Sequence, residues 1–217
     1  CIMVILLNRV LISSFGFDID FVLKRIATVT GFNRVILLAL YTSEDVFRRI
    51  EKAYDTLKIV CSSLKIDCIL EKINPDKILR HVLTIVKKTV EESENVEVFL
   101  TGGPRILVSV IILSLLMLPK HLADRVRIII EGEGFPCTLE INLSKYQELL
   151  KLDNRDLTIV FELQTRGPLQ LSSLEENTGI PRSTLYRRLE DLIKKKLVVK
   201  EEDKYIAEEL FNITCGS

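Results

Sequence analysis

The chain has 217 residues, 47% of them hydrophobic, and its 30 Lys and Arg are balanced by 30 Asp and Glu. This length is enough for two ordinary domains, and the zero net charge excludes a nucleic-acid binder that is polybasic over its whole surface. The high apolar content, with only 9 Gly and 6 Pro, excludes a disordered chain.

Apolar runs alternate with helical patterns through the first two thirds of the sequence. The predicted strands are Ile2–Ile12, Arg34–Leu40, Ile66–Ile73, Val96–Leu100, Arg127–Glu131 and Thr138–Leu143. The predicted helices run from Asp18 to about Thr28, from Ser43 to about Leu64, from Asn74 to about Glu92 and from Ile106 to Met117. The turn-like residues Ser13–Gly16 separate the first strand from the first helix.

This alternation predicts an α/β fold. A strand, a crossover helix and the next strand form a right-handed unit, which gives a mainly parallel, Rossmann-like sheet with helices on both faces. The expected strand order is 3-2-1-4-5. Too few residues separate the last two strands for a crossover helix, so these should form an antiparallel hairpin at one edge.

Two loops of the predicted sheet form the candidate ligand site. Ligands bind such sheets at the carboxyl ends of the strands where the strand order reverses, here between strands one and four. The loops at that point are Ser13–Phe17 and Thr101–Arg105. In the second loop two glycines allow close backbone approach, a helix N-terminus follows, and Arg105 has the charge that suits a phosphate. The alternative is that Gly-Gly-Pro forms only a tight turn.

The remaining reactive side chains form no recognisable catalytic or metal site. The only histidines, His81 and His121, are distant in sequence from both loops, and neither G-x-G-x-x-G nor a P-loop is present. The five cysteines show no Cys-x-x-Cys spacing, so we expect free thiols, no metal and no cofactor. These features favour a binding protein over an enzyme.

The apolar runs do not fit a membrane protein. The longest nearly uninterrupted run, Ile106–Leu118, covers 13 residues, whereas a spanning helix needs about 20. The run Ile2–Leu7 lacks the preceding positive charge and the cleavage pattern of a signal peptide. We therefore expect a cytoplasmic protein with no membrane partner.

The last third of the sequence has a different pattern. Its predicted elements are helices at Asp153–Arg166, Leu171–Asn177 and Pro181–Lys196, followed by hairpin strands at Leu197–Lys200 and Lys204–Ala207. A three-residue turn containing Gly179 separates the second and third helices, which is typical of a winged helix-turn-helix. We therefore divide the chain into an α/β domain at 1–145, a linker at 146–152 and a winged helix-turn-helix domain at 153–217.

The third helix of this domain is the candidate recognition helix. Leu185, Leu189 and Leu192 lie on one side, and residues 182–200 carry seven Lys and Arg against two acidic residues, a net charge of +5. The candidates for base contacts are Arg182, Ser183, Thr184, Tyr186 and Arg187. Arg188, Lys195, Lys196 and Lys200 are better placed for phosphate contacts. Lys194 lies with Ser183 and Arg187 on the face opposite the leucines and is a further candidate for DNA binding. The alternative is a solvated helix in a module that binds protein.

Three motifs together point to one family. They are Ser14-Phe15-Gly16-Phe17-Asp18, Leu100-Thr101-Gly102-Gly103-Pro104-Arg105 and Thr178-Gly179-Ile180-Pro181-Arg182-Ser183-Thr184-Leu185-Tyr186. With them, nearly the whole chain resembles the archaeal CRISPR-associated regulators that join a CARF domain (CRISPR-associated Rossmann fold) to a winged helix. The resemblance implies a homodimer that binds a cyclic oligoadenylate between its two CARF domains. Cyclic tetraadenylate is the ligand that the resemblance favours. It also implies transcriptional control of CRISPR-associated genes through binding of double-stranded DNA.

The resemblance also implies which residues bind the ligand. They are Thr101, Gly102, Gly103 and Arg105, with Phe15, Gly16 and Phe17 from the first loop, and with Ser14 and Pro104 in the same motifs. Pro104 stands where family members usually have a residue with a backbone N–H, so one donor is missing. Two alternatives stay open, namely a ring nuclease that degrades cyclic oligoadenylate and a regulator that senses another metabolite.

Overall fold

The structure, a computed structural model, describes residues 9–132, 134, 136–209 and 211–215. It divides into two compact units. The first contains the residues up to Leu143 and the C-terminal segment from Ile213, and the second runs from Ser144 to Asn212. The sequence interpretation assigns that C-terminal segment to the helix-turn-helix domain, whereas the structure groups it with the α/β unit. No described helix is both long and apolar enough to cross a membrane.

The described residues form ten strands and nine α-helices. The strands are β1 (Arg9–Phe15), β2 (Phe32–Leu40), β3 (Asp67–Ile73), β4 (Asn95–Phe99), β5 (Val126–Glu131), β6 (Cys137–Asn142), β7 (Leu169–Gln170), β8 (Val198–Glu201), β9 (Lys204–Ala207) and β10 (Phe211–Cys215). The helices are α1 (Asp20–Thr28), α2 (Glu44–Ser63), α3 (Ile78–Glu92), α4 (Arg105–Leu116), α5 (Lys120–Ala123), α6 (Leu143–Leu150), α7 (Asn154–Arg166), α8 (Leu171–Thr178) and α9 (Arg182–Lys194). A 3-10 turn at Pro75–Lys77 precedes α3.

Seven strands form the sheet of the first unit, in the order β10-β6-β5-β4-β1-β2-β3. Strands β1 to β5 pair in parallel, and β6 pairs antiparallel with β5. The predicted order of the parallel strands and the predicted edge hairpin are therefore confirmed. Strand β10, which the sequence interpretation does not contain, lies beyond β6.

Strand β1 extends further toward its carboxyl end than the sequence predicts. Ser13, Ser14 and Phe15, predicted as turn residues, pair with β2 and are buried. Serine favours turns where its hydroxyl is solvated, but here the strand ladder and the surrounding core decide the conformation. Most of the predicted strand Ile2–Ile12 lies outside the described residues, because the description begins at Arg9.

Apolar side chains cover both faces of this sheet. Helices α1 and α2 contribute to one core cluster, and α3 and α4 contribute to another. Strand β1 supplies both, with Leu11 and Phe15 in the α1/α2 cluster and Val10 and Ile12 in the α3/α4 cluster. Successive strand residues point to opposite faces, so burial on both sides produces the nearly continuous apolar runs of the sequence.

The second unit is a helix-turn-helix with a small sheet. Its core gathers side chains from three helices and the hairpin, among them Leu174, Leu185 and Tyr205. Gly179 follows α8 with a φ of 65°, and its N–H donates to the Glu175 carbonyl, a left-handed cap that turns the chain toward α9. Strands β7, β9 and β8 form an antiparallel sheet, which is the wing. The predicted winged helix-turn-helix is confirmed.

A disulfide joins two outer strands of the first unit's sheet. Cys137 of β6 and Cys215 of β10 are bonded, with Cα atoms 4.0 Å apart and a sequence separation of 78. The prediction that the cysteines are free thiols is wrong for this pair, because strand pairing brings together residues that no short spacing connects. Cys61 and Cys68 are free, and Cys1 lies outside the described residues.

Candidate functional site

The two candidate ligand loops meet where the sequence predicts. Strands β1 and β4 are parallel neighbours at the point where the strand order reverses, so their carboxyl ends are side by side. The Ser14 hydroxyl donates to the Gly102 carbonyl, which ties the end of β1 to the loop after β4. A Cβ added to Gly16 would lie 3.4 Å from the Gly103 Cα, so the two backbones are in contact.

Gly103 is required by both its conformation and its surroundings. Its φ is 83°, and an added Cβ would lie 3.0 Å from the Phe15 nitrogen and 3.1 Å from the Ser14 carbonyl carbon. A residue with a side chain is strained at such a φ and has no space here. The sequence signal of the double glycine therefore reflects a close approach of two chain segments as well as a turn.

The loop after β4 leads directly into a helix N-terminus. The Pro104 carbonyl accepts the N–H groups of Leu107 and Val108 at 2.9 and 3.1 Å, which begins α4. The N–H groups of Arg105 and Ile106, the first two residues of α4, have no carbonyl partner within the helix, and α4 has no acidic residue in its first turn. Arg105 is exposed there. The local chemistry suits an anion.

Three of the proposed ligand residues are buried. Phe15 is 1% exposed and its side chain belongs to the α1/α2 core cluster, so only its backbone is placed to meet a ligand, and its assignment as a ligand contact stays a prediction. Ser14 is 1% exposed and Thr101 is 5% exposed. The Thr101 hydroxyl oxygen accepts the N–H of Glu131 at 2.7 Å, so this residue ties the loop to β5.

The remaining ligand candidates are at least partly accessible. They are Gly16, Phe17, Gly102, Gly103, Pro104 and Arg105. Phe17 is 48% exposed, and the guanidinium of Arg49 lies 4.3 Å from the centre of its ring. Arg49 belongs to α2, and nothing in its local sequence connects it to the loop after β1. Its position beside Phe17 therefore has no signal in the sequence.

A buried ion-pair network holds α1 to the sheet. Glu97 of β4 is 3% exposed and accepts hydrogen bonds from Arg9 at 2.9 Å and from Arg25 at 2.6 Å. Arg25 also lies 3.6 Å from Glu131 at the end of β5. Two close cations make the burial of this carboxylate tolerable. Glu97 is not among the predicted site residues, although an acidic residue inside an apolar strand is a visible signal in the sequence.

The recognition helix presents the predicted faces. Leu185, Leu189 and Leu192 are buried on one side of α9. The residues proposed to contact bases are exposed or half-buried on the other side; they are Arg182, Ser183, Thr184, Tyr186 and Arg187. Tyr186 is 50% exposed. Lys194, Lys195, Lys196 and Lys200 are also exposed, so the basic stripe of the sequence is a surface of the second unit.

Arg188 is engaged inside the second unit. One of its terminal nitrogens lies 2.6 Å from an oxygen of Asp156 and 2.8 Å from an oxygen of Asp153. Asp153 also caps α7 by accepting the Asp156 N–H, and this bond and then Arg188 lower the pKa of the Asp153 carboxyl. Arg188 therefore joins α9 to the start of α7 through this nitrogen, and its assignment as a phosphate contact stays a prediction.

A Rossmann-like sheet with a glycine loop at its switch point, joined to a winged helix-turn-helix, is the architecture of proteins that couple a sensing domain to a DNA-binding domain. Residues 9–151 match the family described as the Csa3 CRISPR-associated Rossmann-like domain, and residues 163–202 match the IclR helix-turn-helix domain. The first match covers most of the chain, so this protein belongs to the Csa3 family of CRISPR-associated proteins. The expected resemblance and fold class are thereby confirmed.

Other comparisons add less. No curated protein matches the chain. Among solved structures it is similar to Can2 from Sulfobacillus thermosulfidooxidans in complex with cyclic tetra-adenylate, at 14% identity and a TM-score of 0.45. That match covers 93% of this chain and 61% of the other, so this chain spans less than two thirds of the length of that protein.

Proposed function

We propose that this protein is a dimeric transcriptional regulator of CRISPR-associated genes that binds DNA in response to a cyclic oligoadenylate. The observation that carries the proposal is the presence, in one chain, of a glycine-loop site at the sheet's switch point and an exposed basic recognition helix. Cyclic tetraadenylate is the leading candidate ligand, by resemblance to the family.

The chemistry of the ligand loops supports an anionic nucleotide. Gly102 and Gly103 leave the backbone uncovered by side chains, and the α4 N-terminus supplies free N–H groups and the positive end of a helix dipole. Arg105 adds a full positive charge in the first turn. Pro104 supplies no N–H, so the loop depends more on its neighbours for hydrogen bonds.

The exposed side of α4 supports a dimer. Ile106, Leu113 and Met117 lie at helical spacing and are 59%, 53% and 59% exposed. An exposed apolar stripe of this kind is typical of a protein–protein interface. Because α4 begins at the candidate ligand loop, pairing two protomers along α4 would bring their two loops together. The resulting site would have two-fold symmetry, which a ring of repeated nucleotides can share.

The second unit supports binding of double-stranded DNA. The N-terminal residues of α9 are exposed with Arg187 and Tyr186 among them, and Lys194, Lys195 and Lys196 follow at its end. Recognition helices place their first turns against base edges in the major groove, and the basic residues around them contact phosphates. A dimer would present two such helices to two half-sites.

Calorimetric titration of the protein with cyclic tetraadenylate tests the ligand, and one ring bound per two chains is the expected stoichiometry. A gel shift with DNA from upstream of the protein's own gene tests the second unit. No binding of that DNA at low salt, with or without ligand, would refute the proposal. Incubation with labelled cyclic tetraadenylate separates a regulator from a ring nuclease, since only the nuclease yields linear product.

A further inference from the structure

The side chain of Arg49 approaches the candidate ligand site from a third element, α2. Its guanidinium lies 4.3 Å from the centre of the Phe17 ring. Phe17 directly follows Gly16, whose added Cβ would lie 3.4 Å from the Gly103 Cα. Contacts therefore run without a break from the glycine loop after β4, through the loop after β1, to Arg49.

This contact positions the Arg49 charge without using its hydrogen-bond donors. A cation–π interaction needs none of the five N–H groups of a guanidinium, which stay available to an oxygen acceptor. Within the part of the chain that the structure describes, no carboxylate lies within the 4.0 Å of an ion pair with Arg49. The neighbouring Arg48, by contrast, lies 3.8 Å from Glu44. Asp18 is the carboxylate that follows Phe17 in sequence, and it accepts the N–H of Asp20 rather than pairing with Arg49.

We propose that Arg49 is a phosphate-binding residue of the candidate ligand site and that Phe17 holds it in position. This inference rests on the proposed function of that site. Helices α2 and α4 belong to the two different core layers of the sheet. A nucleotide lying over the switch point therefore meets Arg49 from one layer and Arg105 from the other, so that its phosphates are neutralised from both.

The expected effect follows from the chemistry of the bond. Loss of a charge-assisted hydrogen bond to a phosphate corresponds to roughly a ten- to hundredfold loss of affinity. Arg49→Ala should show this loss, and Arg49→Lys, which keeps the charge but not the planar fork, should lie between Arg49→Ala and the wild type. Arg48→Ala is the matched control, since it removes the adjacent arginine of the same helix, and should bind within about twofold of the wild type.

A second variant tests whether Phe17 acts through Arg49. Phe17→Leu keeps an apolar side chain but removes the ring that holds the guanidinium. It should weaken ligand binding, and the double variant with Arg49→Ala should lose little more than Arg49→Ala alone. Losses that simply multiply would show that the two residues act independently, which would overturn the positioning role of Phe17.

Calorimetric titration of the full-length variants with cyclic tetraadenylate, at low and raised salt, is the test, and circular dichroism melting checks their folding. The inference predicts weaker binding and a shallower salt dependence for Arg49→Ala. Unchanged affinity in Arg49→Ala, or an equal loss in Arg48→Ala, overturns it while the proposed function stands. Failure of the wild-type protein to bind cyclic tetraadenylate overturns both.

Discussion

Replacing Gly103 with alanine should damage the candidate ligand site more than any other single methyl added to its loops. The φ of 83° is unfavourable for alanine, and the new Cβ would lie 3.0 Å from the Phe15 nitrogen and 3.1 Å from the Ser14 carbonyl carbon. Both atoms belong to the backbone of β1, so neither can rotate away as a side chain would. The loop after β4 must therefore move away from β1.

The strained φ sets the expected loss of stability, and the displacement of the loop sets the expected loss of ligand affinity. A residue with a side chain held at positive φ costs about 1–3 kcal/mol. For a chain of this size, about 2 kcal/mol corresponds to a fall of roughly 4–8 °C in the melting temperature. Displacement of the loop should also weaken binding of cyclic tetraadenylate. A loss of about 1.4 kcal/mol of binding free energy corresponds to about a tenfold loss of affinity, and we expect at least this loss. Calorimetric titration and thermal melting measure both quantities.

Gly102→Ala is the matched control for this experiment. Its added Cβ would lie 3.7 Å from the Ser14 carbonyl oxygen, which is an ordinary contact, and its φ is not positive. This variant should melt within a few degrees of the wild type. The reasoning is refuted if Gly103→Ala melts and binds like the wild type, or if the two variants are equally damaged.

Four further predictions address other parts of the molecule. Cys215→Ser opens a loop of 78 residues, which should lower the free energy of unfolding by about 4.5 kcal/mol on a chain-entropy estimate; chemical denaturation should show the same loss on reduction of the wild type. Arg188→Ala should lower the melting temperature of the second unit, whereas Arg187→Ala should leave melting unchanged and weaken DNA binding several-fold by anisotropy. The Asp156 N–H and then Arg188 lower the pKa of Asp153, so the wild type should lose part of its advantage over Arg188→Ala as the pH falls through that pKa, measured in melts at decreasing pH. Leu113→Glu should convert the proposed dimer to a monomer in sedimentation velocity, and a dimer that persists in this variant would exclude α4 as the interface.

The parallel sheet and its switch point are predictable because they depend on local patterns. Buried strands give continuous apolar runs, helices repeat every 3.6 residues, and the connection lengths decide which strands pair in parallel. The glycines after β4 were visible for the same reason, since Gly102 and Gly103 follow a buried strand directly. Phe15 and Leu11 are four residues apart on β1 and therefore lie on the same face of the sheet, in the core. The burial of Phe15 is thus predictable from the sequence.

The features that the sequence analysis misses depend on partners distant along the chain. Strand β10 is five exposed residues, and only its neighbour β6 and the bond from Cys215 to Cys137 identify it as part of the sheet. Arg188 belongs to a basic stripe by sequence, but its acidic partners lie more than 30 residues earlier on another helix. Arg49 likewise acquires its place only when α2 packs beside the loop after β1.

The most direct test of the central claim is the affinity of the protein for DNA from its own upstream region, measured by fluorescence anisotropy at increasing concentrations of cyclic tetraadenylate. A ligand-responsive regulator predicts a saturable change in DNA affinity, in one direction, of about fivefold or more. Identical binding curves at every ligand concentration, from protein that binds the DNA, would contradict it.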